Sequence, residues 1–238
     1  MIALVFFSCK KPEDRRCIKG AGDLVTIERP LTSFYSLDLG PHIQYVLVQD
    51  TVEKVVLTGG ENLLNFITTE IIGGKLIIQN TNRCNFLRSY KKVVVVEIHL
   101  KQIGNVLFQG TKELNCQNQL NLQSLTFVMK NGAGQCNLNV NTSVLYLAAV
   151  QGWGNFTCKG STDYLRMDIR ENGFGDAYEL QINDSLNVVS YSSEVIKVNA
   201  EGAQFRTEIG SNGDVWYKGV PVFIEYNQYG TGSLLDKN

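Results

Sequence analysis

Apolar and polar residues alternate along most of this chain, and the alternating blocks recur about every 20 residues. Leu125-Phe127-Met129 is followed by Leu145-Leu147-Ala149, Leu165-Met167-Ile169, Leu186-Val188-Ser190 and Phe205-Thr207-Ile209. The first members of these triplets lie 20, 20, 21 and 19 residues apart. Period-2 alternation marks a strand with one buried face. A fixed period of this length marks a solenoid, whose repeats bury their apolar columns only by stacking on one another. The pattern predicts an all-β chain with coils of about 20 residues from residue 104 onward.

Within a coil the expected order is strand, sharp corner, second strand and polar turn. Asn131-Gly132-Ala133-Gly134, Gln151-Gly152-Trp153-Gly154, Asn172-Gly173-Phe174-Gly175 and Asn212-Gly213 form the corners. Glycine is expected there to supply positive φ, which Asn also tolerates. The second strands carry Cys136-Leu138-Val140, Phe156-Cys158 and Tyr178-Leu180-Ile182 inward, and Asn141-Thr142-Ser143, Ser161-Thr162-Asp163 and Asn183-Asp184-Ser185 read as closing turns. At ~4.8 Å per coil, five or six coils give a prism roughly 25–30 Å long.

Upstream, strands are predicted at Leu24–Glu28, Phe34–Leu39, Ile43–Val48, Lys54–Thr58, Ile67–Ile72, Lys75–Gln79 and Val93–Leu100, with one helical turn over Glu61–Asn65. The continuous run Val93-Val94-Val95-Val96 predicts a strand covered on both faces.

Composition narrows the function classes. The 238 residues form one large domain or two small ones. With 22 Lys and Arg against 23 Asp and Glu, net charge is −1, which implies no basic face for nucleic acid. No stretch reaches the ~20 apolar residues that a membrane-spanning helix needs. Two histidines and no Cys-x-x-Cys argue against a zinc site. No cofactor is implied.

The first nine residues read as a lipoprotein signal: an apolar run ends at Ser8 and Cys9, and a polar tether over 10–19 follows. Cys9 is the expected lipidation site. A start placed upstream would account for the missing basic n-region and the short apolar run. Cys17, Cys84, Cys116, Cys136 and Cys158 read as small buried residues rather than disulfides. Cys116 and Cys136, 20 apart, are expected to stack in neighbouring coils.

Ile27-Glu28-Arg29, the run from Phe34 to Gln49, Val55–Thr58, Glu61–Ile67 and Gly74–Ile78, with the later Gly-x-Gly corners, form an ordered set. Together they resemble the head GIN domain of putative auto-transporter adhesins over nearly all of residues 20–230. The resemblance implies a right-handed parallel β-helix-like solenoid preceded by an N-terminal strand region, often on exported bacterial lipoproteins. It implies adhesion, with no catalytic residues to transfer. The expected organisation is signal-like 1–9, tether 10–19 and solenoid 20–238. The expected address is the cell envelope, periplasmic or surface-exposed, with membrane contact only through the lipid.

The candidate chemistry is sparse. Each Gly-x-Gly precedes a strand, whereas a phosphate loop needs a helix after it. Outward columns follow from the ladder: Thr126, Tyr146, Arg166, Asn187 and Arg206; Val128, Ala148, Asp168, Val189 and Glu208; Lys130, Val150, Arg170, Tyr191 and Gly210. Asp168 sits between Arg166 and Arg170, with no second acid in an adjacent coil, so surface charge pairing outweighs glycoside hydrolysis. Trp153 and Phe174 occupy equivalent corner positions one coil apart and are candidate ligand contacts, with outward Tyr146 and Tyr191 next. The function expected is non-catalytic, adhesin-like binding of an envelope or extracellular polymer or protein. The alternatives are a polysaccharide-processing β-helix enzyme, which needs clustered acids, and a periplasmic lipid binder, which needs an apolar gap.

Overall fold

The computed structural model describes residues 20–82 and 93–238; Cys9, the 10–19 tether, Cys17 and Cys84 lie outside them. The first part comprises β1 (Leu24–Pro30), β2 (Ser36–Leu39), β3 (Gln44–Gln49), β4 (Lys54–Gly60), α1 (Glu61–Leu64), β5 (Ile67–Ile72), β6 (Lys75–Asn80) and β7 (Val95–Leu100). The coils follow as β8 (Asn105–Phe108), β9 (Leu114–Cys116), β10 (Leu120–Lys130), β11 (Gln135–Val150), β12 (Asn155–Glu171), β13 (Phe174–Ser192), β14 (Ile196–Asn199), β15 (Gln204–Ile209), β16 (Val215–Lys218), β17 (Phe223–Gln228) and β18 (Leu234–Asp236). The predicted all-β solenoid, preceded by N-terminal strands, is the fold observed.

Two walls of parallel strands enclose one core. Wall A stacks β6, β2, β8, the later halves of β10 to β13, then β15 and β17. Wall B stacks β7, β3, β9, the early halves of β11 to β13, then β14, β16 and β18. The strands upstream of residue 104 are therefore part of the stack. Because β2 and β3 lie between β6–β7 and β8–β9, the chain lays down the second rung first and the first rung afterwards. Wall A thus runs roughly 40 Å at ~4.8 Å per strand, longer than the prism expected from the later coils alone.

The N-terminal end is closed by different means. β5 pairs antiparallel with β6, and β1 and β4 pair antiparallel beside β7. Helix α1 turns Leu63 and Leu64 into the core, and Arg29 Nη1 donates to the Ile67 carbonyl at 2.8 Å. Such a cap covers apolar columns that the first coil would otherwise leave wet. Val94 and Val96 are buried but Val93 and Val95 only half-buried, so β7 is covered on one face, not two. At the far end every residue of β17 is exposed, since no further rung lies over it among the described residues.

The ladder read from the sequence is the observed register. Leu125, Leu145, Leu165, Leu186 and Phe205 pair in sequence, as do Phe127, Leu147, Met167, Val188 and Thr207. Tyr45, Phe108, Phe127 and Phe156 continue the core as ring contacts with centroids 5.7–6.3 Å apart.

Three local expectations are corrected. The polar triplets at 141–143, 161–163 and 183–185 do not end strands; β11, β12 and β13 bend through them, and Thr142 Oγ1 meets Thr162 Oγ1 at 3.1 Å inside the bend. Tyr178 is half-buried and Ala177 takes the inward place, because β13 carries an extra residue opposite Cys158. Such a bulge re-aims the side chains beyond it. At the corners, positive φ falls on Asn131, Gln151 and Glu171, at 56–59°, and among the predicted corner glycines on Gly152, at 140°. Most corner glycines answer a different need, close stacking: a Cβ on Gly134 would lie 2.3 Å from the Lys112 carbonyl oxygen one coil below.

Candidate functional site

Wall A presents the predicted outward columns in register. Asp168 accepts Nε and Nη2 of Arg170 at 2.9 and 3.2 Å, in the two-pronged geometry that holds a guanidinium flat. The charge pairing expected there is therefore with Arg170, while Arg166 sits over the Tyr146 ring at 5.9 Å. Arg170 in turn lies 5.5 Å from the Tyr191 centroid, and the Tyr191 hydroxyl donates to Glu208. That bond holds the phenol protonated, raising its pKa. Asp168 is only 7% exposed, although it faces outward, because its neighbours cover it.

Wall B carries a denser cluster toward the C-terminal end. Asp176, Lys197, Trp216 and Leu235 align across β13, β14, β16 and β18. The Lys197 ammonium lies 5.4 Å from the Phe174 centroid, 5.8 Å from Tyr178 and 5.9 Å from Trp216, and 3.3 Å from an Asp176 oxygen. Lys218 lies 5.4 Å from the Tyr178 ring, and Lys237 lies 4.5 Å from that of Trp216. Burial raises the Tyr178 pKa, so its hydroxyl remains a donor. That hydroxyl and the Trp216 indole N–H are both buried atoms without a hydrogen-bond partner.

Trp153 stands apart, 62% exposed at the corner between β11 and β12. Phe174 is not its equivalent. It pairs with Asn155, two positions further along, because the corner after β12 is shorter and the bulges in β13 restore the missing length later. The four candidate residues therefore occupy three places: Trp153 the corner edge, Phe174 wall B, and Tyr146 and Tyr191 wall A.

The described cysteines offer little reactivity. Cys116, Cys136 and Cys158 are unpaired, and burial pushes the Cys116 thiol up to about 11 and the other two higher. Cys136 pairs with Leu114, so the register there is offset by 22 residues and Cys116 is not its stacking partner. A polar recess of about 450 Å³ beside the strand bends is lined by Asn121, Gln123, Asn141, Ser143 and Asp163 among others. Its acid, Asp163, accepts a hydrogen bond from Asn183 at 3.0 Å.

The sequence model of a family described as putative auto-transporter adhesin, head GIN domain, matches residues 33–221. The chain belongs to the head GIN domain family. Solved structures share the fold of this head GIN domain. A putative adhesin from Bacteroides fragilis superposes with a TM-score of 0.83 at 17% identity, covering 92% of this chain and 100% of that one. A putative adhesin from Parabacteroides distasonis gives 0.66 at 15% identity, covering 92% and 99%. A putative lipid binding protein from the same organism gives 0.64 at 17% identity, covering 91% and 98%. No curated protein matches the chain.

Sequence reasoning missed Lys197, Trp216, Lys218 and Lys237. The apolar ladder of this head GIN domain fades past Ile209. A signal was available: Lys197, Trp216 and Leu235 are spaced by 19 residues, as are Lys218 and Lys237.

Proposed function

We propose that this head GIN domain is a non-catalytic, adhesin-like binding module that holds an envelope or extracellular polymer or protein against its outward strand faces. The observation that carries this reading is the register: outward side chains form columns fixed rung by rung on two open walls. Side chains fixed by a rigid stack lose little entropy on binding, which suits repeated weak contacts with an extended partner.

Other features favour binding over catalysis. Glycoside hydrolysis requires two carboxylates free to act on one bond. On wall A, Asp168, Glu208 and Glu225 are each engaged, by Arg170, Tyr191 and Arg206. Against a lipid binder, the space between the walls is filled by the stacked rings and aliphatic columns of the core.

The proposed address is the bacterial envelope, through a lipid on Cys9 and the 10–19 tether. Cys9→Ala is expected to move the full chain from the membrane fraction to the soluble fraction, and retention of the variant in membranes would refute the anchor. A binding screen of residues 20–238 against glycans, lipids and envelope proteins tests the reading itself. A polymer or surface protein is expected to bind. Extraction of a lipid, or shortening of a glycan, would contradict it. Trp153→Ala with Phe174→Ala is expected to weaken binding without lowering the melting temperature. Unchanged binding would exclude that pair, leaving Tyr146 and Tyr191 to be tested.

A further inference from the structure

We infer that the lysine–aromatic cluster on wall B is a binding site for an acidic polysaccharide, a chain bearing repeated carboxylate or sulfate groups. This deepens the adhesin-like reading and rests on it, since it names the class of polymer and the place where it binds.

The first ground is charge. Lys197, Lys218 and Lys237 bring three ammonium groups onto successive rungs of one wall. Asp176 pairs with Lys197 at 3.3 Å. Asp236 accepts hydrogen bonds from Asn238 at 3.0 and 2.8 Å, and Lys218 and Lys237 form no ion pair among the described residues. The cluster is therefore locally cationic in a chain whose net charge is −1. An excess of one sign on a single face attracts polymers of the other.

Preorganisation is the second ground. Each ammonium lies 4.5–5.9 Å from an aromatic centroid, and Lys197 is ringed by Phe174, Tyr178 and Trp216. Cation–π contact holds these otherwise mobile side chains near the wall, so an arriving anion orders less.

The third ground is unmet hydrogen bonding. Buried polar atoms nearly always find partners, yet the Tyr178 hydroxyl and the Trp216 indole N–H have none. Both donate, and both belong to the rings that hold the lysines. Both atoms are covered here, so an oxygen acceptor reaches them only as the covering side chains turn toward the ligand, whereas an apolar ligand offers them no partner.

The same geometry separates an acidic glycan from single-stranded nucleic acid. Base binding on a basic surface uses aromatic faces as stacking platforms. Here the ring neighbourhoods are taken by ammonium groups, which leaves charge and hydrogen bonding as the means of recognition. Rungs ~4.8 Å apart offer cations at repeated intervals along the wall.

The test is calorimetry on residues 20–238 with polygalacturonate, dextran sulfate, neutral dextran and polyuridylate. Polygalacturonate, dextran sulfate or both are expected to bind, more weakly as salt rises, while dextran does not bind. Lys218→Gln with Lys237→Gln leaves the Lys197–Asp176 pair intact. It is expected to lower affinity at least about tenfold, with the melting temperature held within about 3 °C. Adding Lys197→Gln should abolish binding, and the corresponding Lys→Arg variants should retain it. Equal binding of dextran, polyuridylate binding as tight as the acidic glycans, or unchanged affinity in the double variant would each overturn the site. Failure of both acidic glycans alongside a positive screen with another partner overturns this inference alone. A screen in which nothing binds overturns the adhesin-like reading with it.

Discussion

Leu147 and Met167 lie in the middle of the stack, paired with one another and fully buried. Deleting the Leu147 side chain leaves a cavity that rigid neighbouring rungs cannot fill, and Leu147→Ala is expected to cost about 2–5 kcal/mol in chemical denaturation. Thr207 belongs to the same column, and its hydroxyl is buried without a partner. Thr207→Val removes an unpaired polar group at nearly constant volume and is expected to stabilise by about 1 kcal/mol. A destabilised Val variant would mean that the hydroxyl has a partner. The sequence placed these residues correctly because period-2 alternation reports which face a side chain occupies. It could not report depth on the outer face. Asp168 points outward as read, yet Arg170 and its neighbours cover it, so a free surface acid is not what the wall presents.

Among the elements, strands were more legible than their junctions. Hydrophobic alternation locates a strand, but corner geometry depends on what the adjacent coil places opposite. The corner glycines illustrate this. Positive φ is expected of Gly and Asn there, and Gly152 and Asn131 adopt it, but so do Gln151 and Glu171, while Gly134 makes room for the carbonyl of Lys112. Gly134→Ala is accordingly expected to destabilise by about 1–3 kcal/mol through displacement of a stacked backbone rather than through dihedral strain. Asn131→Gly should relieve the dihedral instead and leave the melting temperature unchanged or higher. A harmless Gly134→Ala would imply looser stacking at the corners. The same dependence on neighbours explains the mistaken equivalence of Trp153 and Phe174: one short corner and two compensating bulges are invisible in a 21-residue spacing.

For the whole molecule, the period announced the solenoid, whereas the order of its rungs was not legible. Nothing in the alternation of β2 and β3 tells that β6 and β7 return beneath them. The wall B cluster was hidden for a related reason. Its members come from three strands and the residue after β18, and only stacking brings Phe174, Tyr178, Lys197, Trp216 and Lys237 together. The proposed binding of an acidic glycan at the wall B cluster can be tested by side-chain labelling of residues 20–238, free and saturated with polygalacturonate. Lysine acetylation and tryptophan oxidation are expected to fall at Lys197, Lys218, Lys237 and Trp216, while Lys130 and Lys54, on other parts of the surface, react as before. Protection centred on Tyr146 and Tyr191, with the three wall B lysines still fully reactive, would contradict it.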